Sequence, residues 1–444
     1  MTTTPTAASW RHHNLRSYAR SEALLKRALD VIPLGTQTFS KSYQQFVRNA
    51  MPQMLVSGDG CRVVDADGQS YIDYLLGLLP IVLGYRDPDV DAAIRTQLDS
   101  GITFSLPTPL EADLAERLVR LIPCADMVRF GKNGSDATSA AIRLARAHTR
   151  RDGVIVCGYH GWHDWYIATT SRHLGIPDAV RKLTTSFPFN RPDALEDLLK
   201  ANPDGYAAVI MEPVGAEEPA PGFLAEVRRL TEKYGVVLVF DEIIAGFRIH
   251  LGGAQAEYGV TPDLACFGKS MANGMPISAI VGRRDIMMLM NDIFFSGTFG
   301  GEALSLAAAI ATLDKLERED VVARLRRRGR SLAARVNALA GRHGLSDLLR
   351  VGGADWWPRW KYGKLPLDSN LFQSLLRQEA AQNGLILLAT FNLCLAHDSD
   401  AIEEETAAAL DATFGALRAA LDSGEPASHL RGEAIRPTFS VRPA

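Results

Sequence analysis

The stretch Gly235–Pro276, GVVLVFDEIIAGFRIHLGGAQAEYGVTPDLACFGKSMANGMP, narrows the possible folds more than any other part of the chain. Its apolar run Val236–Phe240 stops abruptly at two carboxylates, Asp241 and Glu242. A largely β-branched run bounded by a glycine predicts a strand buried on both faces of a parallel sheet. An acid at the end of such a strand faces the crevice where open α/β sheets bind their ligands. Twenty-eight residues later, Lys269 stands between Gly268 and Ser270 in a segment punctuated by glycine and proline. A fixed acid and a lysine in a tight turn suit one cofactor well. Pyridoxal 5'-phosphate (PLP) needs a lysine for its Schiff base and an acid to hold its ring nitrogen protonated.

Gly268-Lys269-Ser270 also ends a P-loop, but that motif requires a glycine five residues before the Gly-Lys pair, where this chain has Asp263. Small, apolar neighbours imply partial burial of Lys269, which would lower its pKa and supply the neutral amine a Schiff-base nucleophile needs. The remaining composition is that of a soluble globular protein. Of 444 residues 47% are hydrophobic and 22% charged, and the net charge of -3 leaves no basic footprint for nucleic acid. Five scattered cysteines without CxxC spacing argue against a disulfide framework or zinc site and fit a reducing cytoplasm. The N-terminus lacks the apolar core of a signal peptide, and no stretch approaches 18 apolar residues.

Residues 1–9 read as disordered, and 17–31 as a helix stopped at Ile32-Pro33. Residues 55–74 read as short antiparallel strands with Asp-Gly turns. From Pro88 onward, helix and strand patterns alternate as in a doubly wound α/β domain. Strands are expected over 126–130, 154–157, 207–211 and 236–240, and helices over 138–151 and 221–234. From Leu313 to Gly344 the pattern is one long, charged amphipathic helix, followed by the Trp-rich loop ADWWPRWKYG and a strand-like run at 385–388. The expected organisation is an N-terminal segment (1–74), a large cofactor-binding domain (75–315) and a C-terminal small domain (316–444) ending in a tail of about twenty residues.

Three further stretches carry chemistry. Met127–Ala147 reads as strand, Gly/Asn/Ser turn and helix. Gly134 permits close backbone approach, Ser135 offers a hydroxyl, and Ser135 or Asp136 can cap the helix, whose N–H groups make a phosphate site. A plain capped helix fits those residues equally well. In CGYHGWHDWY, Tyr159 and His160 suit stacking on a flat heterocycle, whereas Trp162, His163 and Trp165 suit a half-buried aromatic loop. His160 and His163 lack the third ligand a metal would need. MEPVGAEE places Glu212 and Glu217 just after a strand, as cofactor contacts or as solvated loop carboxylates.

The block from Phe240 to Gly282 resembles the signature of the class III, PLP-dependent aminotransferases of fold type I, closest to the branch containing glutamate-1-semialdehyde aminomutase. The resemblance spans about residues 33–397. It implies a large doubly wound mixed-sheet PLP domain, a smaller α+β domain from both chain ends, and a homodimer with shared active sites. It further implies that Lys269 carries the Schiff base and shuttles the substrate proton, and that Asp241 pairs with the pyridinium nitrogen. Gly134 and Ser135 would hold the phosphate, Tyr159 and Ile243 would cover the two ring faces, and Thr298 would reach the partner subunit's phosphate. Three positions depart from the aminomutase pattern: Lys41 for an arginine, Glu217 for an asparagine and Asn392 for a glutamate. They turn the expectation from glutamate semialdehyde towards another polar keto or aldehyde acceptor. The expected activity is a ping-pong aminotransferase, with an aminomutase or epimerase as the alternative and a non-catalytic binding domain as the third reading.

Overall fold

The computed structural model of the chain describes residues 15–215 and 217–436. The segment expected to be disordered at residues 1–9, and the last residues of the expected tail, lie outside that range. The described chain forms two compact units, one of residues 15–78 and 327–436, the other of residues 79–326. The sequence-based division at 315/316 falls inside the helix Ala303–Arg318.

The smaller unit opens with the helix Ala19–Leu29 and three strands, β1 (Leu55–Asp59), β2 (Arg62–Asp65) and β3 (Ser70–Asp73), paired antiparallel in turn. Asp65 closes the β2–β3 turn by accepting from the N–H groups of Asp67 and Gln69 and from the Tyr71 hydroxyl.

The larger unit carries β4 (Met127–Gly131), β5 (Gly153–Cys157), β6 (Thr184–Ser186), β7 (Tyr206–Met211), β8 (Val237–Asp241), β9 (Leu264–Phe267) and β10 (Ser278–Gly282). They form one sheet in the order β4-β10-β9-β8-β7-β5-β6. Only β10 runs antiparallel to its neighbours. All five residues of β8 are buried, as a continuous apolar run in mid-sheet requires. The helix Gly134–Thr149 lays Ala137, Ala140, Ala141, Leu144 and Ala145 against Val154, Val156, Ile210, Val239 and Cys266. Small side chains on that face let the helix approach the sheet closely at native packing density.

This helix begins four residues earlier than the sequence pattern suggests, and its cap is Asn133 rather than Ser135 or Asp136. Asn133 Oδ1 accepts from the Asp136 N–H while the Asp136 carboxylate accepts from the Asn133 N–H, a capping box with aspartate in the glutamate's place. The long helix expected from Leu313 is two helices, Ala303–Arg318 and Val321–Arg342. The break falls at Asp320, whose φ of 47° is a left-handed conformation that aspartate tolerates better than most residues.

The chain then adds β11 (Leu349–Gly352) and β12 (Arg359–Tyr362) as a hairpin, and β13 (Leu385–Ile386), which pairs parallel with β3. The expected C-terminal tail is docked as far as Arg436. Ile435 is buried with Val47, Ala50, Met51 and Ala381, and the N–H groups of Ile435 and Arg436 donate to Ser374 Oγ and the Gln44 carbonyl.

Because β10 alone is reversed, β4, β5, β7, β8 and β9 all end on one edge of the larger sheet. The chain steps outward from β5 to β6 and returns through β7, so the strand order switches direction beside β5. Such a switch point opens the crevice where α/β sheets place ligands.

Candidate active site

Four of the strands that end on that edge deliver a polar group. Strand β8 ends on Asp241, β5 leads into Gly158-Tyr159-His160, β7 leads into Glu212, and β9 leads through Gly268 to Lys269. His160 Nδ1 lies 2.8 Å from Asp241 Oδ2, with both side chains buried. An ionised carboxylate only accepts, so this bond places the proton on Nδ1. The other Asp241 oxygen accepts from the Ile243 N–H at 3.2 Å. The buried His160 Nε2 has no hydrogen-bond partner among the described residues.

Glu212 Oε2 accepts from the Tyr159 N–H at 3.0 Å, and the ring of Tyr159 meets Tyr166 edge-on. Burial, reinforced by the charge of Asp241, pushes the Glu212 carboxyl above the usual range. A side chain at residue 158 would bring a Cβ to 2.5 Å from Glu212, so glycine there lets the strand end approach the acid.

Lys269 sits at the start of a 3₁₀ turn with φ 36°, a left-handed conformation for a non-glycine residue. Its neighbours hold it there. Arg248 Nε donates to Ser270 Oγ at 2.7 Å, and both side chains bond the Leu79 carbonyl. Asn273 Oδ1 accepts from the N–H groups of Val82 and Leu83, and its amide donates to the Gly84 carbonyl. Burial lowers the Lys269 pKa and the charge of Arg248 adds to that, against the opposing pull of Asp241 and Glu212. The lysine therefore shares one electrostatic neighbourhood with both acids. Asp263, where a P-loop needs glycine, is a buried acceptor for Arg228, Arg283 and the Leu238 N–H.

Gly134 and Gly268 flank Ile243. A Cβ on either would lie 3.3 Å or 3.1 Å from the isoleucine side chain, so two glycines keep the space around it clear. Ser135 Oγ accepts from the Trp162 N–H, and Gly161 makes room for that serine. The structure thus gathers Asp241, His160, Tyr159, Glu212, Ile243, Gly134, Ser135 and Lys269 at one sheet edge. Thr298 stands exposed on the loop before the helix Ala303–Arg318, and Glu217 is exposed in the turn after β7. Lys41 and Asn392 belong to the smaller unit. Lys41 is exposed at the end of a short turn, Phe39–Lys41. Asn392 is buried, and its Oδ1 accepts from Trp357 Nε1 and Thr390 Oγ1 while Nδ2 donates to the Leu75 carbonyl.

Sequence reasoning missed the supports of the lysine turn, Arg248, Ser270 and Asn273. An arginine inside the apolar run of AGFRIH was the one available sign. Reading that sequence as a helical or strand face would have flagged a buried charge in need of acceptors.

The donor set fits PLP: a buried anion for a ring nitrogen, an amine of lowered pKa within its field, and a helix N-terminus of glycine and serine for a phosphate. Site and sheet together define a fold type I PLP-dependent transferase. The sequence profile described as aminotransferase class-III matches residues 43–354. The 3-aminobutyryl-CoA aminotransferase of Cloacimonas acidaminovorans is 37% identical, covering 88% of this chain and 97% of that protein. The glutamate-1-semialdehyde 2,1-aminomutase of Roseiflexus castenholzii is 36% identical, covering 88% and 96%. Among solved structures, the FumI protein of Sphingopyxis sp. MTA144 in its PLP internal aldimine form superposes with a TM-score of 0.85 at 31% identity, covering 94% of this chain and 99% of that one. This chain belongs to the class III aminotransferase family. It is a PLP-dependent enzyme that transfers an amino group from a small-molecule donor to a small-molecule acceptor.

Proposed function

We propose that transamination runs through Lys269 and Asp241, on the observation that the Asp241–His160 pair and Lys269 occupy neighbouring strand ends in one electrostatic field. Bound PLP supplies an aldehyde that takes the donor's amino group and a pyridinium ring that accepts the electron pair left when the Cα–H bond breaks. Lys269 Nζ, neutral at a lower pH than an ordinary lysine, would hold the cofactor at its aldehyde carbon, with the aldehyde oxygen leaving as water, and, once displaced by the donor's amine, would move the proton from the substrate Cα. Asp241 holds a proton on the ring nitrogen, and the bond from His160 Nδ1 fixes the carboxylate's orientation. The first-turn N–H groups at Gly134 and Ser135, with Ser135 Oγ, bind the phosphate. Tyr159 and Ile243 enclose the ring, and Glu212 orients the Tyr159 backbone.

The acceptor is a polar keto or aldehyde compound, with Lys41 and Glu217 as the residues that select it, while Asn392, bonded to Trp357, Thr390 and the Leu75 carbonyl, supports the fold of the smaller unit. The three departures from the aminomutase pattern weigh against glutamate semialdehyde, and an aminomutase or epimerase is the second reading. The active assembly is a homodimer to which Thr298 contributes across the interface. That reading is supported by Phe294 and Phe299, which flank Thr298 and are 80% and 59% exposed. Five buried thiols free of disulfides support a cytoplasmic setting, and no helix among the described residues is long and apolar enough to cross a membrane.

Single-turnover reaction with one amino donor and no acceptor tests the central reading. An aminotransferase releases one keto product per site and changes the visible spectrum. A mutase or epimerase returns the amine to its substrate and releases none. Mixing Lys269→Ala with Thr298→Ala chains tests the shared site. Hybrid dimers should exceed the summed activity of the two variants, and no gain would place Thr298 outside the partner's site.

A further inference from the structure

Lys132 lies two residues before Gly134, in the turn between β4 and the helix Gly134–Thr149, and none of the site roles above involves it. Its side chain does not reach into solvent as a turn lysine ordinarily does. The ammonium donates to the Pro276 carbonyl at 3.0 Å, to Glu302 Oε1 at 2.7 Å and to Ser305 Oγ at 3.3 Å. Its own backbone N–H is held by Asp136 Oδ2 at 2.8 Å.

The three acceptors come from two remote segments of the larger unit. Pro276 closes the segment that begins at Lys269. Glu302 and Ser305 begin the helix Ala303–Arg318, which Glu302 caps by accepting from the N–H groups of Leu304 and Ser305. The pair is largely withdrawn from water, with side chains 23% and 10% exposed. Burial works against the Glu302 charge, but the bonds from Lys132 and Ser305 outweigh it and hold the carboxyl below its usual range. An ammonium is a compact charge that can donate to more than one partner, and here it joins the Glu302 carboxylate to Ser305 and Pro276, which are themselves tied by the Ser305 hydroxyl donating to the Pro276 carbonyl at 3.2 Å. A surface ion pair of the common kind meets one partner and constrains nothing else.

We infer that Lys132 is a positioning residue for the cofactor's phosphate. Its ammonium fixes the Gly131–Ser135 turn against the Pro276 carbonyl and the start of the helix Ala303–Arg318, keeping the first-turn N–H groups aimed at one point. The inference rests on the proposal that Gly134 and Ser135 bind the phosphate. Lys132 touches neither substrate nor ring in this scheme. Its contribution is therefore confined to ligands that carry a phosphate, which separates it from a purely structural ion pair.

The test titrates apo Lys132→Met and apo Glu302→Gln with PLP and, separately, with pyridoxal, which lacks the phosphate. Loss of a partly buried charge-assisted contact should weaken PLP binding by about tenfold or more in Lys132→Met. Pyridoxal binding should stay at its wild-type value. Glu302→Gln should shift PLP in the same direction by less, and it carries the test should Lys132→Met fail to fold. The double variant should be no worse than Lys132→Met alone, because the two residues act as one unit. Unchanged PLP affinity, or equal losses for PLP and pyridoxal, overturns the inference. The wild-type protein controls the underlying proposal separately. If it binds pyridoxal as tightly as PLP, the phosphate assignment at Gly134–Ser135 has failed, whatever Lys132 does.

Discussion

Asp241 with His160 in the larger unit, and Asn392 with Trp357 in the smaller, are both polar clusters built on buried side chains, with only Trp357 partly open to water. They differ in what is left over. The Asn392 amide is uncharged, its oxygen is bonded twice and its nitrogen donates to a main-chain carbonyl, so each of its polar atoms has a partner. The Asp241 cluster keeps a buried carboxylate beside a histidine whose Nε2 has no partner among the described residues, within the field of a lysine of lowered pKa. A satisfied buried network rigidifies a fold, whereas an incompletely satisfied one is tolerated where a ligand or a reaction completes it. By that criterion the first cluster is chemical and the second architectural, even though the sequence nominates residues in both.

Substitution at Lys269 presses the comparison hardest. Lys269→Ala should lose turnover entirely while retaining PLP without a covalent link, read by borohydride reduction and intact mass. Near-wild-type turnover would sink the assignment of the whole sheet edge. Asp241→Asn should stay folded but lose roughly two to three orders of magnitude in kcat, the scale of removing one preorganised charge from a catalytic site. Equal activity would mean that another group protonates the ring. Asn392→Ala should behave in the opposite way. It strands Trp357 Nε1 and should cost about 1–3 kcal/mol of stability by denaturant unfolding, with a modest change in kcat. A collapse of activity at unchanged stability would move Asn392 from architecture to substrate binding and break the contrast. The mildest effect concerns pH. The neutral fraction of Lys269 rises with pH, and burial moves that rise below the ordinary lysine range. The rate at which the apoenzyme captures PLP should therefore climb with pH and level off well before a free lysine would, as followed by stopped-flow absorbance.

The chemical cluster was legible in the sequence because strand ends are. A buried run such as Val237–Phe240 must stop where polarity begins, and in a parallel sheet that stop falls at the ligand edge. Asp241, Glu212 and the Tyr159-His160 pair were found in this way. Lys269, in the turn after β9, came from its glycine and serine neighbours. The bond between His160 and Asp241 joins residues 81 apart in sequence, and no spacing rule predicts it. The same holds for Lys132 with Glu302, 170 residues apart. Helix starts were misjudged where the cap was an Asn/Asp box, and the helix from Leu313 was over-extended because periodicity continues through a single left-handed aspartate. Lys41, Glu217 and Thr298 sit on exposed turns, where neither period nor burial restricts the side chain, so the sequence could nominate them only by resemblance.

Lys269 adopts a backbone conformation that costs a lysine about 1–2 kcal/mol and costs glycine almost nothing. The bonds of Arg248, Ser270 and Asn273 hold it there whatever side chain occupies the position, because they run through the neighbouring residues. Laboratory evolution for heat resistance alone, with no demand for turnover, should therefore enrich glycine or asparagine at position 269. Deep sequencing of survivors against the unselected library would read that enrichment directly. The residue most needed for activity would be among the first such a selection discards.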